Sequence, residues 1–367
     1  MKRRIIQPRL QLLTFCGLLF CFLLTTGFTF KPDEGTEKVV WPLPPDPPKI
    51  TYVTSFTERK DMGIKKGFFQ KLKEWVVGKE DEPRVLRPTG VFSDGNGTVY
   101  VTDTGLQAVH VFDFAEKKYR QVFRLNPDGE GPVRLLSPIG VAVDGQGFLY
   151  VSDSLLKQVF VFDPEGKLVE TLGKDGEFQR PTGLALDTAR NKLYVVDTLG
   201  NQVTAFEVKP GTATGKKRSK APPVITRAFT FGARGTGPGE LNFPTHVTLD
   251  GEGDIYVTDT LNFRVQRFDS GGKVLGEFGK VGNVLGTFSK PKGVGVDGGG
   301  HVYVVDNLYD TIQIFDREGA LLLHFGGHGG GPGGFWLPVG LHVDKDRYIF
   351  VADTFNQRVQ VFRYLGE

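Results

Sequence analysis

One block recurs six times in this chain, and that repetition limits the fold more than any other feature. Each copy opens on Pro-x-Gly followed by a hydrophobic residue, with opening prolines at Pro88, Pro138, Pro181, Pro244, Pro291 and Pro338. The fourth copy alone breaks this opening, placing His246 where the others have glycine. Each copy runs on to a Tyr-Val-x-Asp-like element ending at Asp103, Asp153, Asp197, Asp259, Asp306 and Asp353, spaced by 50, 44, 62, 47 and 47 residues. Six residues beyond each aspartate stands Val109, Val159, Val203, Val265, Ile312 or Val359, and three further on Phe112, Phe162, Phe206, Phe268, Phe315 or Phe362. Register kept over six copies marks an architecture in which each unit buries its apolar face only against its neighbours.

Each unit contains short apolar or alternating runs separated by turn chemistry. In the fourth they are Val247–Leu249, Ile255–Thr258, Val265–Phe268 and Val274–Phe278, with Gly251-Glu252-Gly253 and Ser270-Gly271-Gly272 between the first and last pairs. Four short antiparallel strands per unit describe a propeller blade, so the expected fold is all-β: a six-bladed β-propeller of four-stranded antiparallel blades. The 49 glycines among 367 residues, well above the usual share of about 7%, then belong to turns and blade crossings. The last unit has no room for a fourth strand before Glu367. Residues 50–56, ITYVTSF, are expected to supply it and close the ring, which removes an exposed edge.

The units resemble the NHL repeat, most closely in Asp259-Thr260-Leu261-Asn262-Phe263-Arg264-Val265 and Asp353-Thr354-Phe355-Asn356-Gln357-Arg358-Val359. The resemblance covers residues 50–56 and about 88–367 and implies a six-bladed propeller similar to proteins of the bacterial envelope. Propellers of this kind include scaffolds, sensor domains, lyases and lactonases, so fold does not decide activity. In the amidating lyases that the resemblance brings in, histidines around the channel bind zinc. The lactonases use a Glu, Asn and Asp set.

Residues 1–30 carry Lys2, Arg3, Arg4 and Arg9 and no acid, followed by an uncharged stretch from Leu10 to Phe30. A basic head and an apolar run read as a secretory signal peptide or an uncleaved N-terminal membrane anchor. Either places the rest outside the cytoplasm, in the periplasm or cell envelope, with membrane contact only through residues 1–30. Phe15 and Phe20 precede Cys16 and Cys21, which argues against lipidation, and the exported part has no cysteine to form a disulfide. Without residues 1–30 the chain carries 41 basic and 42 acidic residues, so nothing points to nucleic acid. Residues 31–49 are rich in proline and read as a stiff linker or as an ordered strap.

Two interruptions depart from the repeat. Residues 58–87 include Lys65–Val77, where Phe68, Leu72, Trp75 and Val76 share a face at helical spacing. A short helix is expected there, packed on the propeller or facing a partner. Residues 209–223 hold Lys216, Lys217, Arg218 and Lys220 and read as a basic loop.

Chemistry must be read against the repeat. The six aspartates ending Tyr-Val-x-Asp recur in every blade, so they are expected to accept backbone hydrogen bonds rather than to catalyse. His246 is the residue that departs from the frame, and it is expected to line the channel mouth. Three convergent zinc ligands do not emerge from the six histidines, and no metal, cofactor or catalytic residue is assigned. The loops after each repeat aspartate and the crossings before each proline should emerge on one face. On it Phe263, Arg264, Tyr309, Trp336, Phe355 and Arg358 vary between blades and are of types that anchor interfaces. The leading expectation is an exported, non-catalytic scaffold that binds an envelope protein, peptide or glycan. The alternative is a channel-site lyase or lactone hydrolase.

Overall fold

The computed structural model describes residues 28–33, 38–63, 83–125, 133–211 and 221–366. The helix expected over Lys65–Val77, the basic cluster Lys216–Lys220 and the apolar run Leu10–Thr26 lie outside the described residues. Six antiparallel sheets of four or five strands form six blades, the first five ordered outward from the channel as the chain runs. Blade one is Pro88–Ser93, Thr98–Asp103, Ala108–Asp113 and Lys118–Val122. Blade four is Pro244–Leu249, Ile255–Asp259, Arg264–Phe268 and Val274–Phe278.

The repeat residues explain the blade. Phe112, Phe162, Phe206, Phe268, Phe315 and Phe362 are all buried, as are Tyr100, Tyr150, Tyr194, Tyr256 and Tyr303 from the second strands. These rings fill the wedges between blades, each worth about 1.5–3 kcal/mol of apolar burial. The opening glycines sit where blades touch at the axis. A Cβ on Gly90 would lie 2.2 Å from the Ile139 carbonyl oxygen, and one on Gly140 would lie 2.3 Å from that of Thr182. No larger side chain fits on that side of the strand. A polar belt joins the blades: Thr198 donates to the Pro244 carbonyl at 2.7 Å, Thr260 to Pro291 at 2.9 Å, and the Asn307 amide to Pro338 at 2.8 Å.

The sixth blade is made of Leu341–Val343, Tyr348–Asp353 and Arg358–Tyr364, and its fourth strand is Ile50–Phe56. That strand runs antiparallel to Arg358–Tyr364, with Ile50 opposite Tyr364 and Phe56 opposite Val359. The Phe56 ring then reaches blade one, 4.9 Å from the ring of Phe112. Residues 38–49 are a strap rather than a spacer. Val40–Trp41 adds a fifth strand against Ile50 and Thr51, and Trp41 packs on Phe325 and Phe362. Further back, Asp33 accepts hydrogen bonds from Thr54 at 2.6 Å and Tyr52 at 2.7 Å. Phe30 is buried among Phe56, Tyr348 and Phe350. Proline suits this path because the outer side of an edge strand needs no further amide donors.

Candidate functional site

The face that carries the loops is built by the repeat aspartates, all of them buried. Asp103 accepts from the backbone amides of Leu86 and Arg87 in the crossing before the blade, and from Gly105 and Leu106 in its own loop. Asp153 does the same with Leu136, Ser137, Leu155 and Leu156. Each aspartate therefore ties a crossing to a loop. Burial opposes ionisation of Asp103, but hydrogen bonds from His110 and the Leu86 amide outweigh it and hold the carboxyl below its usual range. Four residues after each aspartate the loop turns through the left-handed region, at Gln107, Lys157, Asn201, Phe263, Asp310 and Gln357, with φ between 52° and 58°. A non-glycine residue there costs about 1–2 kcal/mol, which the surrounding hydrogen bonds must offset.

Two of the six expected face residues are braces instead. Arg264 is buried, its Nε donating to Asp259 at 2.9 Å, Nη1 to Glu277 at 2.7 Å and Nη2 to the Gly237 and Glu240 carbonyls. Arg358 repeats the pattern on Asp353, Gly331 and Gly334. Phe263 is half-buried against the core between blades four and five. The other three do stand on the surface. Trp336 and Phe355 pack at 5.6 Å, Arg87 lies 5.7 Å over the Phe355 ring, and Tyr309 is exposed in the loop of blade five.

The axis holds two cavities in series. The inner one, about 180 Å³, is walled by the first strands, including Gly90, Gly140, Gly183, Gly340, His246 and His342. Above it, about 330 Å³ opens at the mouth. Its wall takes one residue from every blade, the position after the opening proline: Thr89, Ile139, Thr182, Thr245, Lys292 and Val339. Arg180, Lys290, Phe243 and Leu261 complete the rim, together with His246. The wall contains three cations and no carboxylate. Burial, with Lys290 and Arg180 close by, pulls Lys292 down to about 8. Burial and the Lys292 charge pull His246 down to about 3, so its ring is neutral near pH 7.

Among the described residues, no three His, Cys, Asp or Glu side chains gather as a metal-binding group. His342 lines the channel, but its Nε2 hydrogen-bonds to the Ser93 carbonyl at 3.2 Å. His110 is fully buried between Asp103 and Tyr119. A lyase-type zinc centre does not fit this donor set.

A family model described as a six-bladed β-propeller matches residues 134–219. The NHL repeat model matches residues 241–268. The fold is an NHL-type six-bladed β-propeller. This propeller is 30% identical over 113 residues to NHL repeat-containing protein 3 of Mus musculus, a stretch that is 28% of this chain and 29% of that protein. The chain thus spans under a third of the length of the curated relative it matches. Among solved structures, a streptogramin B lyase superposes with TM-score 0.51 at 13% identity, covering 76% of this chain and 93% of that one. An auxiliary nutrient binding protein from Bacteroides thetaiotaomicron gives TM-score 0.53 at 15% identity, covering 78% and 71%. At such identities these neighbours show the fold alone.

The mouth cations Arg180, Lys290 and Lys292 are not among the expected site residues, because the opening Pro-x-Gly stands out by its broken glycine and not by its middle position. The signal was there. Aligned by blade, the middle position reads Thr, Ile, Thr, Thr, Lys, Val, and Lys292 is the one charge in a ring of small and apolar residues. His246, which the broken glycine pattern pointed to, does lie in the mouth.

Proposed function

We propose that this propeller is an exported, non-catalytic binding scaffold whose loop face captures an envelope protein, peptide or glycan. One observation carries the reading. Two residues after the repeat aspartate, five of the six blades hold a large apolar side chain out in solvent: Leu155, Leu199, Leu261, Leu308 and Phe355, each at least 42% exposed. Blade one has Gly105 at this position and keeps the same four-stranded order, so a large apolar side chain here is not required by the blade. A ring of exposed apolar groups on rigid loops is the pattern of a binding surface. Trp336 and Tyr309 extend it with the aromatic types that dominate interface energetics. Export is supported by the basic head and apolar run of residues 1–30.

The test is capture from an envelope extract with the wild-type chain and with Leu308→Ser, Trp336→Ser and Phe355→Ser combined. Specific partners retained by the first and released by the second support the reading. Equal recovery from both, with the variant folded by circular dichroism, overturns it.

A further inference from the structure

Inside that apolar ring lies a pocket of different chemistry. Three cationic side chains, Arg180 and Lys290 from two crossings and Lys292 from the first strand of blade five, share a cavity of about 330 Å³ with no acidic residue in its wall. Gathering like charges at a half-enclosed site is unfavourable unless something neutralises them. Lys292 registers this directly: burial is the largest influence lowering its pKa, and the charges acting on it, Lys290 and Arg180, are both positive. His246 also faces this group, but it is uncharged near pH 7 and offers a ring hydrogen bond rather than a charge. Hydroxyls from Thr89, Thr182 and Thr245 lie in the same wall, while Phe243 and Leu261 give it an apolar side. The volume falls in the range of about 300–1,000 Å³ typical of small-molecule sites.

We propose that the channel mouth binds one compact organic anion, its carboxylate or phosphate oxygens held by Arg180, Lys290 and Lys292 and its apolar part resting on Phe243 and Leu261. Arg180 supplies a planar fork of donors suited to either group. The lysines supply point charges on flexible stems. Nothing in the site needs a bond to be made or broken. The pocket goes beyond the scaffold reading, and it stands on its own wall: small-anion binding by the purified chain and partner capture by the rim can fail separately.

Bound anion favours the protonated form of Lys292 and raises its pKa, by linkage. Affinity is therefore highest below pH 8 and falls as pH rises through that value. The test is isothermal titration of the full chain with inorganic phosphate and, separately, hexanoate, at pH 7 and pH 9 in low salt. The expected result is saturable binding of at least one probe at one site per chain. Lys292→Met or Arg180→Met should weaken it by about tenfold or more, the worth of a charge-assisted hydrogen bond. Lys273→Met, on a remote exposed turn, should leave it unchanged. Phosphate alone or hexanoate alone identifies which oxyanion the site takes. No saturable binding of either probe to folded wild-type protein overturns the proposal, as does equal weakening by Lys273→Met, which would mark diffuse charge attraction only.

Discussion

The Thr354 hydroxyl donates to the Pro88 carbonyl oxygen at 2.7 Å, joining residues 266 positions apart across the seam between blades six and one. Thr198 and Thr260 make the same bond between consecutive blades, but only Thr354 makes it where the chain does not continue. Thr354→Val keeps the shape and leaves the buried Pro88 carbonyl without its partner. The expected cost is about 1–3 kcal/mol, read as a lower denaturant midpoint with an unchanged slope.

Phe56 tests the closure from the apolar side. It is 2% exposed and touches blade one through Phe112 while belonging to the strand that completes blade six. Phe56→Ala should cost about 3–5 kcal/mol, as large aromatic truncations in cores do. Equilibrium denaturation measures it, and an effect below about 1 kcal/mol would mean the closing strand is dispensable.

Arg264 distinguishes a brace from an anchor. With four hydrogen-bond partners and almost no exposed surface, Arg264→Met should lower stability by about 3 kcal/mol, because it strands the buried charge of Asp259. Partner capture by the folded fraction should be unaffected. A variant of normal stability with lost capture would return Arg264 to the binding surface.

Lys292 makes a pH-dependent prediction for stability. Its pKa is lowered from 10.5 to about 8 in the folded chain, so the folded state disfavours its charged form. The penalty is fully present below pH 8 and is relieved as pH rises from 8 towards 10.5, where the unfolded chain also loses the proton. Lys292→Met should therefore melt higher than wild type at pH 7, and the gap should narrow between pH 8 and 10.5. Thermal melts across that range decide it. A gap that widens with pH would contradict the assignment. Stability gained by removing a charge that binds ligand is the expected trade between function and folding.

The proposed export role of residues 1–30 can be tested apart from the propeller. Residues 1–30 fused to a reporter that is active only outside the cytoplasm should give activity. Leu18→Arg should abolish it, since an arginine at the centre of an apolar segment costs about 2.5–3.5 kcal/mol on insertion.

The repeat made the propeller legible because blade contacts are the same contacts six times over. A glycine needed for close approach at Gly90 is needed again at Gly140 and Gly340, and the sequence displays the need as a period. The strap was only half legible. Proline-rich sequence at 41–48 is compatible with a free spacer, and its docking depends on Trp41 finding Phe325 and Phe362, contacts nearly 300 positions or more away. The candidate site was least legible. Its wall draws one residue from each blade, so its members lie some tens of positions apart and emerge only when the opening motifs are aligned blade on blade. Arg264 and Arg358 misled because a side chain that varies between blades can still serve the frame, as the matched pair of brackets on Asp259 and Asp353 does.

The pairing of Ile50–Phe56 with Arg358–Tyr364 also sets a clock on folding. The closing strand is separated from its partner by five complete blades, so their pairing closes a very long loop. Until they pair both edges are open, one of them carrying the apolar side chains of Val359, Val361 and Phe362. Interior blades can form by local contact, but the locking step needs both distant strands, and such long-range pairing is slow and exposed to aggregation. The waiting edge must therefore be kept from pairing with another chain until the ring closes.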